Sequence, residues 1–158
     1  MKFERSLDTY LAIAQYHLDK GTTVEDMIKK ARKSGHGVFS EDIKKKFGTI
    51  YTPEFVVRKT IDLAWKYLTK DSNTLNLTYC DPACGDSNFL EILYEKLMQE
   101  EGIQDPIKKS HYILTKCIYG IEILTQMVQA SKIRLAILHL RTVEKNGEDP
   151  GKEIFQKG

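Results

Sequence analysis

The sequence predicts an α/β chain of order strand–helix–strand–helix, preceded by an all-helical N-terminal region. Three observations carry that prediction. Across residues 75–98 apolar residues first alternate and then recur at helical spacing, with a turn containing Pro82 and Gly85 between the two patterns. The same switch recurs across residues 117–140, while residues 3–46 show helical spacing only. Two strands, each followed by a helix, imply parallel strands joined by a right-handed crossover. In such sheets ligands bind beyond the carboxyl ends of the strands.

At 158 residues the chain suits one domain, or a small domain with a helical extension. Its 41% hydrophobic and 29% charged residues fit a soluble globular protein. No apolar run approaches a membrane span, and Met1-Lys2-Phe3-Glu4-Arg5 lacks a signal-peptide core, so a cytoplasmic, non-membrane protein is expected. Cys80, Cys84 and Cys117 form no CxxC pair, and His17, His36, His111 and His139 stand singly. Reduced cysteines and no metal site are therefore expected. The net charge of +2 decides nothing about nucleic acid. Lys29, Lys30, Arg32, Lys33, Lys44, Lys45 and Lys46 do form a local cationic stretch, which reads first as the wet face of helices.

Leu7, Leu11, Ala14 and Leu18 give residues 3–19 one apolar stripe, stopped by Gly21. Thr22 or Thr23 caps a second helix through Met27, Ile28 and Ala31, and Ser40 caps a short third, Glu41 to Phe47. A helical region 1–47 is thus followed by an α/β unit, 48–142, and a polar tail, 143–158. Within the α/β unit, Thr52 caps a helix with Pro53 at its first position and Glu54 in its first turn. Leu75, Leu77 and Tyr79 alternate as a strand, and Phe89, Leu90, Ile92, Leu93 and Leu97 follow as a helix. Glu100 to Ser110 reads as a loop. Cys117 to Ile123 reads as a second buried strand ending in Glu122, with Thr125 capping the last helix. The Asp81-Pro82-Ala83-Cys84-Gly85 turn and Glu122 fall at the two strand ends, where a carboxylate can accept hydrogen bonds from both hydroxyls of a ribose.

In this order, Gly48-Thr49-Ile50-Tyr51-Thr52-Pro53, Asp81-Pro82-Ala83-Cys84-Gly85 with Phe89-Leu90, and Tyr119-Gly120-Ile121-Glu122 resemble the amino-terminal half of the S-adenosylmethionine-dependent DNA adenine-N6 methyltransferases. Type I modification subunits and fused type II restriction–modification enzymes are the most similar branch. The resemblance covers about residues 47–140 and implies a partial Rossmann-like methyltransferase fold. It also implies cofactor contacts at Tyr51, Thr52, Pro53, Asp81, Pro82, Ala83, Cys84, Gly85, Phe89 and Glu122. By that likeness Tyr51, Thr52 and Pro53 lie against the methionine end, Asp81 faces the ammonium group, Phe89 closes the pocket floor and Glu122 holds the ribose. Ser87 stands where the family usually has a second glycine, and Asp86 stands beside it. The family's catalytic Asn/Asp-Pro-Pro-Tyr/Phe stretch is not among these residues, whose prolines are Pro53, Pro82, Pro106 and Pro150.

The resemblance implies double-stranded DNA as the intact enzyme's substrate. It implies as partners a carboxy-terminal half or specificity and restriction subunits, with a homodimer as a further option. Two readings stand against it. One is a non-enzymatic DNA-binding or assembly module that uses the Lys29–Lys46 cations. The other is a dinucleotide-binding domain, which the absence of GxGxxG disfavours.

Overall fold

The computed structural model describes residues 52–68 and 73–148, together with scattered residues between 9 and 29. The expected contact at Tyr51, most of the cationic stretch, the helix over Glu41 to Phe47 and the end of the tail lie outside the described residues. Of the two candidate caps for the second helix, Thr23 is the one in place: its Oγ1 accepts the Asp26 N–H at 3.1 Å.

The chain forms α1 (Glu54–Tyr67), a 3-10 turn (Thr74–Asn76), β1 (Tyr79–Asp81), α2 (Asn88–Gln99), α3 (Pro106–Tyr112), a π-helical turn (Ile113–Cys117), β2 (Ile118–Gly120) and α4 (Thr125–Lys145). β1 and β2 pair in parallel, with Tyr79 opposite Ile118, Cys80 opposite Tyr119 and Asp81 opposite Gly120. The α/β order and the parallel sheet are as the sequence predicts.

The strands are shorter than their apolar patterns. Leu75 and Leu77 belong to a turn, because the Asn73 side chain accepts the Leu75 N–H at 3.1 Å and so starts a 3-10 bend. Leu75 is buried all the same, so the alternation recorded burial without strand pairing. At the second strand, Cys117 lies in the π-helical turn, and Ile121 and Ile123 are 55% and 85% exposed beyond Gly120. The expected loop from Glu100 to Ser110 gives way at Pro106 to α3. Asp105 Oδ1 accepts the Ile107 and Lys108 N–H groups at 2.9 and 3.1 Å, and Pro106 opens the helix.

One core joins α2, the π-helical turn, β2 and α4 through Leu90, Leu97, Ile113, Leu114, Ile118, Leu135 and Leu140. A smaller cluster of Val57, Ile61 and Ile92 seats α1 on α2. Exposed ion pairs, Arg58 to Glu95 and Lys96 to Asp62, both 2.9 Å, add little to that seat. Lys109 is buried because its ammonium donates to the carbonyls of Met98 and Glu100, which end α2 without helical partners.

A polar network runs through the core. The Tyr94 hydroxyl lies 2.6 Å from Ser110 Oγ and 2.9 Å from Thr142 Oγ1, and Ser110 Oγ lies 2.8 Å from His139 Nδ1. These bonds tie α2, α3 and α4 together, those of Ser110 to Tyr94 and His139 fully buried and that of Tyr94 to Thr142 half-buried. Tyr94→Phe should therefore lower unfolding stability by about 1–2 kcal/mol. Urea unfolding checks it: the midpoint should fall with an unchanged slope. An unchanged midpoint would show that the network contributes nothing.

Candidate functional site

β1 stops at Asp81 because Pro82 has no N–H to give the ladder. The chain then folds back on the residues that follow β2. Ile121 N–H donates to the Asp81 carbonyl at 2.9 Å, and Cys84 N–H donates to the Ile121 carbonyl at 3.0 Å. The Asp81 side chain accepts the Ala83 N–H at 3.0 Å, tightening the turn. Gly85 takes φ 51°, and its N–H donates to Glu122 Oε2 at 3.1 Å, while Glu122 Oε1 accepts the Leu124 N–H at 2.8 Å. One carboxylate thus pins both the loop after β1 and the approach to α4.

The fold-back needs a glycine in β2. A Cβ at Gly120 would stand 2.6 Å from Cys84 Sγ and 2.9 Å from Leu90 Cδ1, inside any tolerable contact. Cys84 is accordingly a wedge between β2 and α2, its side chain buried and facing inward.

Neither expected threonine cap is made. Pro53 occupies the cap position of α1, its carbonyl accepting the Val56 and Val57 N–H groups at 2.9 and 3.1 Å. Leu124 holds the equivalent place before α4, with Thr125 the first helical residue. The Thr52 carbonyl instead accepts a 2.8 Å bond from Asn88 Nδ2 at the start of α2. Asn88 therefore fastens the α1 start to the loop, and Glu122 fastens the loop to β2. Thr52, the 81–85 turn and Glu122 belong to one hydrogen-bonded assembly.

A cleft of about 530 Å³ opens beside this assembly, between α1, β1 and α2. Of the expected residues, Asp81, Pro82 and Phe89 line it, among apolar groups such as Ile61, Trp65 and Leu93. Thr52, Pro53, Ala83, Cys84, Gly85 and Glu122 lie outside that lining.

Asp86 forms a buried ionic cluster against the loop with two residues the sequence reading missed, Glu91 and Arg134. Arg134 contacts the Asp86 carboxylate through Nη1 as an ion pair without hydrogen-bond angles, and its Nε donates to Glu91 Oε1 at 2.5 Å. All three side chains are less than 10% exposed. The available signal was one arginine inside the run Ile133, Leu135, Ala136 and Ile137, since a charge in an apolar stripe needs a buried partner.

The described residues thus form an α/β unit whose strand ends carry a clamped loop and a carboxylate. Its sequence from residue 37 to 148 matches the family model of the N-6 DNA methylases, and the chain belongs to that family. It is 45% identical over 51 residues to the type II methyltransferase M.VspI of Vibrio sp. (strain 343), a match spanning 32% of this chain and 11% of that protein. It is 34% identical over 90 residues to the type II methyltransferase M.BstVI of Geobacillus stearothermophilus, spanning 56% of this chain and 16% of that protein. The chain therefore corresponds to a small part of the length of these relatives. No solved structure matches. No helix among the described residues is long and apolar enough to cross a membrane.

Burial, with the Asp81 and Glu122 carboxylates adding to it, pushes the Cys84 thiol from 9.0 up to about 11. Burial alone does the same for Cys117. Near neutral pH, iodoacetamide should modify exposed Cys80 and spare Cys84 and Cys117 until the chain unfolds, as peptide mass mapping would show. Because the unfolded thiols ionise first, their contribution to stability should fade as pH rises from about 9 to about 11. Gly120→Ala should cost about 1–3 kcal/mol by overpacking and open Cys84 to the reagent; unchanged protection would contradict the wedge.

Proposed function

We propose that this chain is the cofactor-binding half of a site-specific DNA adenine-N6 methyltransferase of a restriction–modification system, a cytoplasmic enzyme in which S-adenosylmethionine is held at the clamped loop. The observation that carries the reading is the Glu122 carboxylate held against the Gly85 amide at 3.1 Å. Each of its oxygens receives one N–H and keeps a second lone pair, so the pair can still accept two ribose hydroxyls. The space around Gly85 also suits a ligand: a Cβ there would meet only Met127 Cε, at 4.0 Å.

The other residues take roles consistent with their places. Asp81 supplies a carboxylate for the ammonium group, and Phe89 and Ile61 supply apolar surface beside it. The first turn of α1 after Thr52-Pro53 offers N–H donors to the carboxylate end. The cofactor supplies the methyl group; this chain's residues bind, orient and exclude water. Together they support a Rossmann-like methyltransferase fold, of which the described β-α-β-α unit is one part.

Double-stranded DNA is the substrate of the intact enzyme in this reading. The remainder of the catalytic domain would cover the free edge of β1 and the apolar outer residues of α1, Phe55, Leu63 and Tyr67, which are 68%, 55% and 80% exposed. The Asn/Asp-Pro-Pro-Tyr/Phe stretch that grips the flipped adenine must then come from that remainder, so methyl transfer to duplex DNA by these 158 residues alone should be negligible.

Calorimetry with S-adenosylhomocysteine should show one site, with no response to NADH. Glu122→Gln, which sets an amide NH2 against one of the two backbone N–H groups the carboxylate accepts, should weaken binding about tenfold and lower the unfolding midpoint modestly. Equal affinity in both proteins, or a response to NADH alone, would overturn the assignment.

A further inference from the structure

Ser87 is the one residue of the loop whose backbone is at odds with its side chain. It adopts φ 82° and ψ 18°, the left-handed region that favours glycine, and it is fully buried with no side-chain capping bond. Such a conformation persists only where the surroundings hold it in place. The chain on both sides of Ser87 is gripped by one side chain. Arg134, midway along α4, contacts Asp86, the preceding residue, and also Glu91, whose own N–H donates to the Ser87 carbonyl at 2.8 Å. The guanidinium reaches the two carboxylates through two different nitrogens, Nη1 and Nε, which the single nitrogen of an ammonium cannot do.

We infer that Arg134 is a positioning residue for the strand-to-helix loop: acting through Asp86 and Glu91, it holds Ser87 in a glycine-like conformation and so keeps the loop shaped for its ligand. Asp86 and Ser87 are then a coupled pair. The buried ion pair at one position supports what a glycine at the next would supply through its own backbone freedom. The role in ligand binding rests on the cofactor reading given above, but the holding of Ser87 does not.

A double-mutant cycle on the 158-residue chain tests it, with three readouts. Amide hydrogen exchange across residues 84–88 in the ligand-free chain reports the loop, S-adenosylhomocysteine affinity reports the site, and the urea midpoint reports the whole fold. Asp86→Asn should speed loop exchange and weaken binding by about tenfold, the scale of left-handed strain at one residue, while leaving exchange in α4 unchanged. In a Ser87→Gly background the same change should cost less than about threefold, since the strain is gone.

Arg134→Lys, which keeps the charge and loses the fork, should behave as Asp86→Asn does. It carries the same cycle if Asp86→Asn fails to fold. Equal penalties with and without the Ser87→Gly substitution, or a loop whose exchange ignores both changes, would overturn the inference. If the unsubstituted chain ignores S-adenosylhomocysteine while the exchange cycle still shows coupling, the cofactor reading fails and the positioning role stands.

Discussion

The Glu122 carboxylate is the constraint on which the geometry of the strand ends depends. One oxygen takes the Gly85 amide and the other the Leu124 amide, so a single side chain fixes the loop after β1 and the entry to α4. Two three-residue strands are too short to hold those segments in register by themselves. The backbone bonds of Ile121 to Asp81 and Cys84 extend the pairing past the strands, and the side chain of Glu122 closes it. With the loop fixed, Asn88 can reach the Thr52 carbonyl and bring the start of α1 to the same place.

The inner side of the loop is set by packing. Gly120 leaves room for Cys84, and Cys84 fills it against Leu90. Burial keeps that thiol protonated, and it avoids adding a charge beside Asp81 and Glu122. Beneath its outer edge the loop thus rests on an apolar contact at Cys84 and a buried ionic one at Asp86, held by a rigid scaffold.

Much of this was legible in the sequence, for identifiable reasons. Pro82 and Gly85 marked the turn because one lacks a donor and the other tolerates positive φ. The parallel β-α-β-α order followed from the switches in apolar period. Other features misled because local pattern does not determine tertiary placement. Leu75 and Leu77 alternate as in a strand, yet Asn73 bends them into a 3-10 turn. Asp105-Pro106 is a helix start inside a polar stretch that Gly102 and Pro106 make look like a loop. Lys109 is in fact buried on the carbonyls that end α2. Thr52 and Thr125 looked like caps, but neither hydroxyl makes a capping bond. The bonds that assemble the site, Gly85 to Glu122 and Asn88 to Thr52, span more than thirty residues and leave no local trace. Whether Tyr51 joins them lies outside the described residues.

A strand-end loop and a carboxylate become a binding site only if a ligand reports on both at once. The most direct measurement is a residue-resolved NMR titration of the chain with S-adenosylhomocysteine. The amides of Gly85 and Leu124, which share the Glu122 carboxylate, should shift together along one saturation curve, with the Phe89 ring following the same curve. Shifts confined to residues remote from the loop, or different saturation curves for Gly85 and Leu124, would contradict the account.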